Sequence, residues 1–156
     1  MISYIFYVCI VLFLTYVGYF ASEKFRDSKK FYISWLKFHQ TFLSEICYTR
    51  RPVQEIVKRF SEEKESDFEA FLREYEKKHE WKGKIDCLNT EENEFLKEYF
   101  SFLGRSDYNA QKEYFDSVTK KLEGMQKESE IKAARYTDLY VKLGFLLGLA
   151  IVILLA

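Results

Sequence analysis

Apolar residues crowd the two ends of the chain and recur at helical spacing between them. Residues 2–22 carry no charge and are rich in Ile, Val, Leu, Phe and Tyr. As a helix they would extend ~31 Å, enough to cross a hydrocarbon core of about 30 Å. Residues 143–156 form a second uncharged run, extending back to about Leu139 if Lys142 lifts its amine to the interface. The spacing therefore predicts a membrane anchor over 1–22, a helical domain over 23–142 and a second anchor over 143–156. Tyr4 and Tyr7 at one end of the first run, and Tyr16, Tyr19 and Phe20 at the other, suit membrane interfaces, where ring and hydroxyl favour different solvents. A cleaved signal peptide would need a basic start and a small-x-small site. The run has no basic start, and Tyr19-Phe20-Ala21 puts Tyr where a small residue belongs, so a retained anchor is expected.

Between the runs the period is that of helices. Tyr32, Trp35, Leu36, Phe42, Leu43, Ile46 and Cys47 trace one face, and no breaker separates this helix from the first anchor. Pro52 disfavours helix at Arg51 and suits the first turn of the next helix, with its stripe of Val53, Ile56, Val57 and Phe60. Ser66-Asp-Phe-Glu69 reads as a capping box before Phe68, Phe71, Leu72 and Tyr75, in a helix ending near Gly83. Asn89-Thr-Glu-Glu92 opens another over Phe95, Leu96, Tyr99, Phe100 and Leu103, with Gly104 as its stop. Ser106 or Asp107 caps a long final helix carrying Phe115, Val118, Leu122 and Met125, then Ala133, Tyr136 and Tyr140, into the second anchor. The fold class is all-α, an antiparallel helical bundle flanked by two transmembrane helices.

Charge sharpens this division. All 24 basic and 24 acidic residues lie between Glu23 and Lys142. Lys24, Arg26, Lys29 and Lys30 follow the first run, and Lys132, Arg135 and Lys142 precede the second, which puts the middle domain on the cytoplasmic side. Residues 23–60 are net basic, and residues 61–98 hold thirteen acidic against seven basic side chains. Within that acidic stretch Glu91, Glu92 and Glu94 form a candidate face for a basic partner. Gly144 and Gly148 make a GxxxG, and Gly18 with Ser22 makes a small-xxx-small pair at similar depth, so close packing of the two anchors is expected.

Chemistry is sparse. Cys9, Cys47 and Cys87 stand apart without a CxxC, and His39 and His79 have no partner at ligand spacing, so neither a disulfide framework nor a metal site is expected. No phosphate loop, HExxH or GxSxG occurs, and the basic residues are interleaved with acids rather than gathered for nucleic acid. No enzyme activity and no cofactor are expected.

Three stretches carry a resemblance: Leu43-Ser-Glu45-Ile-Cys-Tyr48-x3-Pro52-Val53; Leu103-Gly104-x-Ser106-Asp107-x3-Gln111; and Leu122-Glu123 followed by Leu143-Gly144-Phe-Leu-x-Gly148. In order and spacing they resemble the stage III sporulation protein AB family of endospore-forming bacteria. The resemblance implies a cytoplasmic domain similar to the type II secretion F-protein family. It also implies a non-enzymatic role in the channel complex between mother cell and forespore, in the outer forespore membrane. The implied partners are a secretion-type ATPase (stage III sporulation protein AA-like) and other membrane subunits, with self-association possible in principle. Glu45, Tyr48, Pro52, Gly104, Asp107 and Gln111 are the family positions, most of them readable as fold determinants. The competing expectation is a membrane-tethering or membrane-shaping protein that acts without an ATPase.

Overall fold

The computed structural model describes residues 2–48, 52–63, 66–78, 83–103 and 108–155. All regular structure among the described residues is α-helical: α1 (Ile2–Ala21), α2 (Glu23–Tyr48), α3 (Val53–Ser61), α4 (Asp67–Lys78), α5 (Thr90–Phe102) and α6 (Tyr108–Leu155). The chain divides into two compact units, Met1–Arg26 with Glu130–Ala156, and Asp27–Ser129. Helix α1 and the end of α6 are long and apolar enough to cross a membrane. Only 6% and 11% of their most apolar windows are buried, unlike the core helix of a soluble protein.

The unit Asp27–Ser129 is organised around α2. Phe31, Tyr32, Trp35, Phe38 and Phe42 are all fully buried, an arc wider than a single stripe because other helices pack around α2. Trp35 meets Phe68 of α4 and Phe95 and Tyr99 of α5, with ring centroids 6.4, 5.4 and 5.4 Å away. Phe38 meets Phe60 of α3 at 5.3 Å, and Phe42 meets Phe115 of α6 at 5.0 Å. Edge-to-face and offset geometries recur in this core, and such pairs contribute roughly 0.5–1.5 kcal/mol each beyond their burial. The α6 contacts run in opposite order to α2: Phe42 meets Phe115, and His39 reaches Thr119 one turn further on. These two helices are therefore antiparallel.

Local chemistry sets the helix ends. Asn89 caps α5 in a complete box, its side chain accepting from the Glu92 N–H at 2.8 Å while Glu92 accepts from the Asn89 N–H at 2.7 Å. At α4 the Glu69 carboxylate, buried, accepts from the Ser66 N–H at 2.7 Å and the Ser66 hydroxyl at 2.6 Å. Pro52 stands one position before the first turn of α3, as its N-cap, with φ −57° and ψ 134°. Arg73 closes the other end of α3 by donating to the carbonyls of Ser61 and Glu63 at 3.0 and 2.9 Å. The expected continuity from the first anchor is interrupted by a single turn at Ser22, whose hydroxyl donates to the Tyr19 carbonyl at 2.7 Å. A serine bonding back to its own helix competes with the backbone ladder without needing proline or glycine. The expected stop at Gly104 and cap at Ser106 or Asp107 lie outside the described residues.

Candidate membrane hairpin and partner surface

In the unit formed by the chain ends, α1 and the last part of α6 pack backbone to backbone. A Cβ added at Gly18 would fall on the carbonyl oxygen of Tyr140, and one at Gly144 on that of Leu14. At Gly148 it would stand 2.9 Å from the Val11 Cα. Real side chains do not accept such approaches, so hydrogen is the side chain that fits at these three places. The contacts run in opposite directions on the two helices, making an antiparallel hairpin. The Tyr7 hydroxyl extends the same order by donating to the Leu155 carbonyl at 3.3 Å. Gly18 thus meets α6 near Gly144, while Ser22 is buried at the turn after α1 and bonded within its own helix.

The outer surface of the hairpin is apolar. Ile5, Leu12, Phe13 and Phe20 on α1 and Leu146, Ile153 and Leu154 on α6 are all more than half exposed. Phe25 stacks on Tyr136 at 4.3 Å, and the Arg26 guanidinium lies 3.7 Å over the Tyr19 ring while donating to the Tyr19 carbonyl and the Ser22 hydroxyl, each at 3.1 Å. Those bonds tie the first basic residues to the turn that ends α1.

In the other unit, three of the family positions, Glu45, Tyr48 and Pro52, lie where α2 gives way to α3. The Glu45 carboxylate, half-buried on α2, pairs with Arg59 of α3, and Pro52 begins α3. Tyr48 is the last residue of α2, and Gln111 is buried on α6 one turn before Phe115. Gly104 and Asp107 are outside the described residues. Nearby, Val53, Val57, Tyr75 and Leu103 line an open cavity of about 430 Å³ whose rim includes Lys58 and Glu76.

Of the three acidic residues singled out as a partner face, Glu91 and Glu94 are exposed on α5. Glu92 is engaged in the cap and is only half exposed. Beside them, Asn93 has a role that no motif marks. Its side chain is buried, accepts from the Ile85 N–H at 2.8 Å, and donates to the carbonyls of Ile85, Leu88 and Asn89 at 3.1, 3.3 and 2.9 Å. That clamps the segment before α5 onto the helix, burying Cys87 and Leu88.

The groups best suited to chemistry are committed to the core. His39 is fully buried, with Nδ1 3.0 Å from the Tyr99 hydroxyl and Nε2 2.9 Å from the Thr119 hydroxyl. Thr119 donates to the Phe115 carbonyl at 3.0 Å, so its oxygen is free to accept from His39. Consistent assignment puts the proton on Nε2 and lets Tyr99 donate to Nδ1. The neutral ring is then satisfied at both nitrogens, and burial lowers its pKa to about 4 despite the opposing influence of Asp116. Burial likewise pushes the Cys87 thiol up to about 12, well away from a reactive thiolate. Among the described residues no group of three or more His, Cys, Asp or Glu is placed to hold a metal ion.

No curated protein and no solved structure matches this chain. The family model described as stage III sporulation protein AB matches residues 3–156, and the chain belongs to that family.

Proposed function

We propose that this protein is a non-enzymatic membrane scaffold of the sporulation channel complex, coupling a cytoplasmic secretion-type ATPase to membrane subunits. The observation that carries the reading is the pairing, in one chain, of a glycine-packed apolar hairpin with a separately cored helical bundle. Water disfavours an apolar surface as extensive as the hairpin's, and lipid accepts it. In the bundle, His39, Cys87, Glu69 and Asn93 are buried and engaged in core packing or hydrogen bonds. What the bundle offers to solvent is charge, and Glu91 and Glu94 make α5 complementary to a basic patch on a partner.

Titration calorimetry of the full chain in lipid nanodiscs with the sporulation ATPase tests this. Saturable binding is expected, with Glu91→Lys plus Glu94→Lys weakening it tenfold or more while vesicle association is kept. Unchanged affinity in that variant moves the contact away from α5. No binding by an inserted, folded chain overturns coupling. It would favour the tethering alternative, in which the hairpin and its basic flanks act on lipid alone.

A further inference from the structure

We infer that the phospholipid headgroup layer meets this hairpin at the level of Tyr16, Phe20, Asp138 and Lys142, about 10 Å deeper than the first charge following α1 suggests. The inference rests on membrane insertion of the hairpin and fixes how far it enters.

Gly18 lies against Tyr140, and Leu14 lies against Gly144. Lys142 falls between these two contacts, which places it level with Tyr16, and Asp138, one turn earlier on α6, is level with Phe20. Asp138 and Lys142 pair at 2.6 Å, with side chains 64% and 69% exposed, so they face outward from the hairpin and not into its seam. Helix α1 carries no charged side chain, and the first after it is Glu23 at the start of α2. One helix therefore stays uncharged for roughly 10 Å past the level where its neighbour becomes ionic.

A flat interface cannot suit both helices. Drawn at Glu23, it immerses an exposed carboxylate and an exposed ammonium in hydrocarbon, a position that ionisable side chains facing lipid rarely occupy. Drawn at Lys142, it leaves Tyr16, Val17, Tyr19 and Phe20 among headgroups. Tyr16 and Tyr19 carry the amphipathic rings that favour that layer, at 65% and 47% exposure. Arg26 points the same way: its guanidinium folds back over the Tyr19 ring and bonds the Tyr19 carbonyl, bringing a cation toward the tyrosines. Aromatic rings, an ion pair and a folded-back arginine thus share one band around the hairpin, the chemistry of a phospholipid headgroup site.

Thiol accessibility tests the assignment in the full chain, reconstituted in phosphatidylethanolamine–phosphatidylglycerol vesicles, with its own cysteines replaced by alanine. Single cysteines are placed at Arg135, Leu139, Phe20 and Leu146 and exposed to a membrane-impermeant maleimide. Leu139→Cys and Phe20→Cys are expected to react within about threefold of Arg135→Cys, and Leu146→Cys at least tenfold more slowly. Adding Asp138→Leu with Lys142→Leu should slow Phe20→Cys toward the rate at Leu146. If Leu139→Cys and Phe20→Cys are as protected as Leu146→Cys, the boundary lies at Glu23 and the inference is overturned. If Leu146→Cys reacts as fast as Arg135→Cys, the hairpin is not in the membrane, and the insertion reading fails with it. Should the leucine double variant fail to insert, the rates in the unaltered Asp138/Lys142 background decide the question alone.

Discussion

His39 shows how a titratable side chain becomes a fold determinant. Both its nitrogens are satisfied only in the neutral form, because protonation would turn Nδ1 into a donor facing the Tyr99 hydroxyl. Tyr99 would then have to redirect its own proton inside the core, where burial holds that hydroxyl far from ionising. The unfolded chain binds a proton at His39 near the ordinary value of 6.5, and the folded chain near 4. Between these values the unfolded state holds the extra proton, so this contribution is complete above about pH 6.5 and is lost as the pH falls toward 4. The full loss amounts to about 3 kcal/mol. Thermal unfolding of the intact chain in detergent, followed from pH 7.5 to 4.5, should show a steeper decline than in a His39→Gln variant. Parallel curves would mean that His39 is not neutral and buried in solution.

Helix packing separates glycines that look equivalent in the sequence. Gly144 sits where a Cβ would strike the Leu14 carbonyl, whereas Gly124, on the same helix, has nothing within 4 Å of that position. Gly124→Ala should therefore stabilise α6 by about 0.5–1 kcal/mol through helix propensity. Gly144→Leu should force α1 and α6 apart. Crosslinking of Tyr7→Cys to Leu155→Cys by a short bifunctional reagent reads the difference: lost with Gly144→Leu, retained with Gly124→Ala. The stripes on α3 to α5 were legible because each of those helices buries one face, which a three-four spacing reports. Helix α2 was legible only in part. Phe31, Phe38 and His39 fall outside the predicted stripe because α2 is packed on several sides, and a linear pattern does not reveal how many neighbours a helix has. Asn93 was invisible for a related reason. Its partners belong to a segment that returns to α5 only in three dimensions, and in the sequence it reads as one more polar residue in an acidic run. The turn at Ser22 lacked a signal because a serine hydroxyl, not a proline or glycine, marks it.

With the hairpin inserted in lipid as proposed, two different solvents would stabilise the two units, and their stabilities would be separable. The bundle of Asp27–Ser129 is held by aromatic burial from water, the hairpin by close backbone packing and an apolar exterior. Helices α2 and α6 run through both units, so a shared backbone is the route by which one could destabilise the other. Phe38→Ala distinguishes the cases. Phe38 is fully buried and faces Phe60, Phe68 and Phe100 at 5.3, 5.7 and 5.9 Å, so truncation leaves a cavity at the centre of the bundle. Such a change costs about 3–5 kcal/mol. For a unit of on the order of 100 residues this lowers the midpoint by roughly 15 °C or more. Trp35 emission, read in a Trp81→Phe background because the chain carries two tryptophans, reports that core and should shift to the red at the lower temperature. The ring contacts of Phe38 lie within Asp27–Ser129, and hairpin helices inserted in lipid could not leave it without exposing apolar side chains to water. The variant should therefore still float with vesicles at temperatures where Trp35 reports an open core, and amides of α1 should stay protected from exchange. Release from the vesicles, or loss of α1 protection, in the same step as the Trp35 change would mean that the units unfold as one. The bundle would then be part of what keeps the hairpin in place.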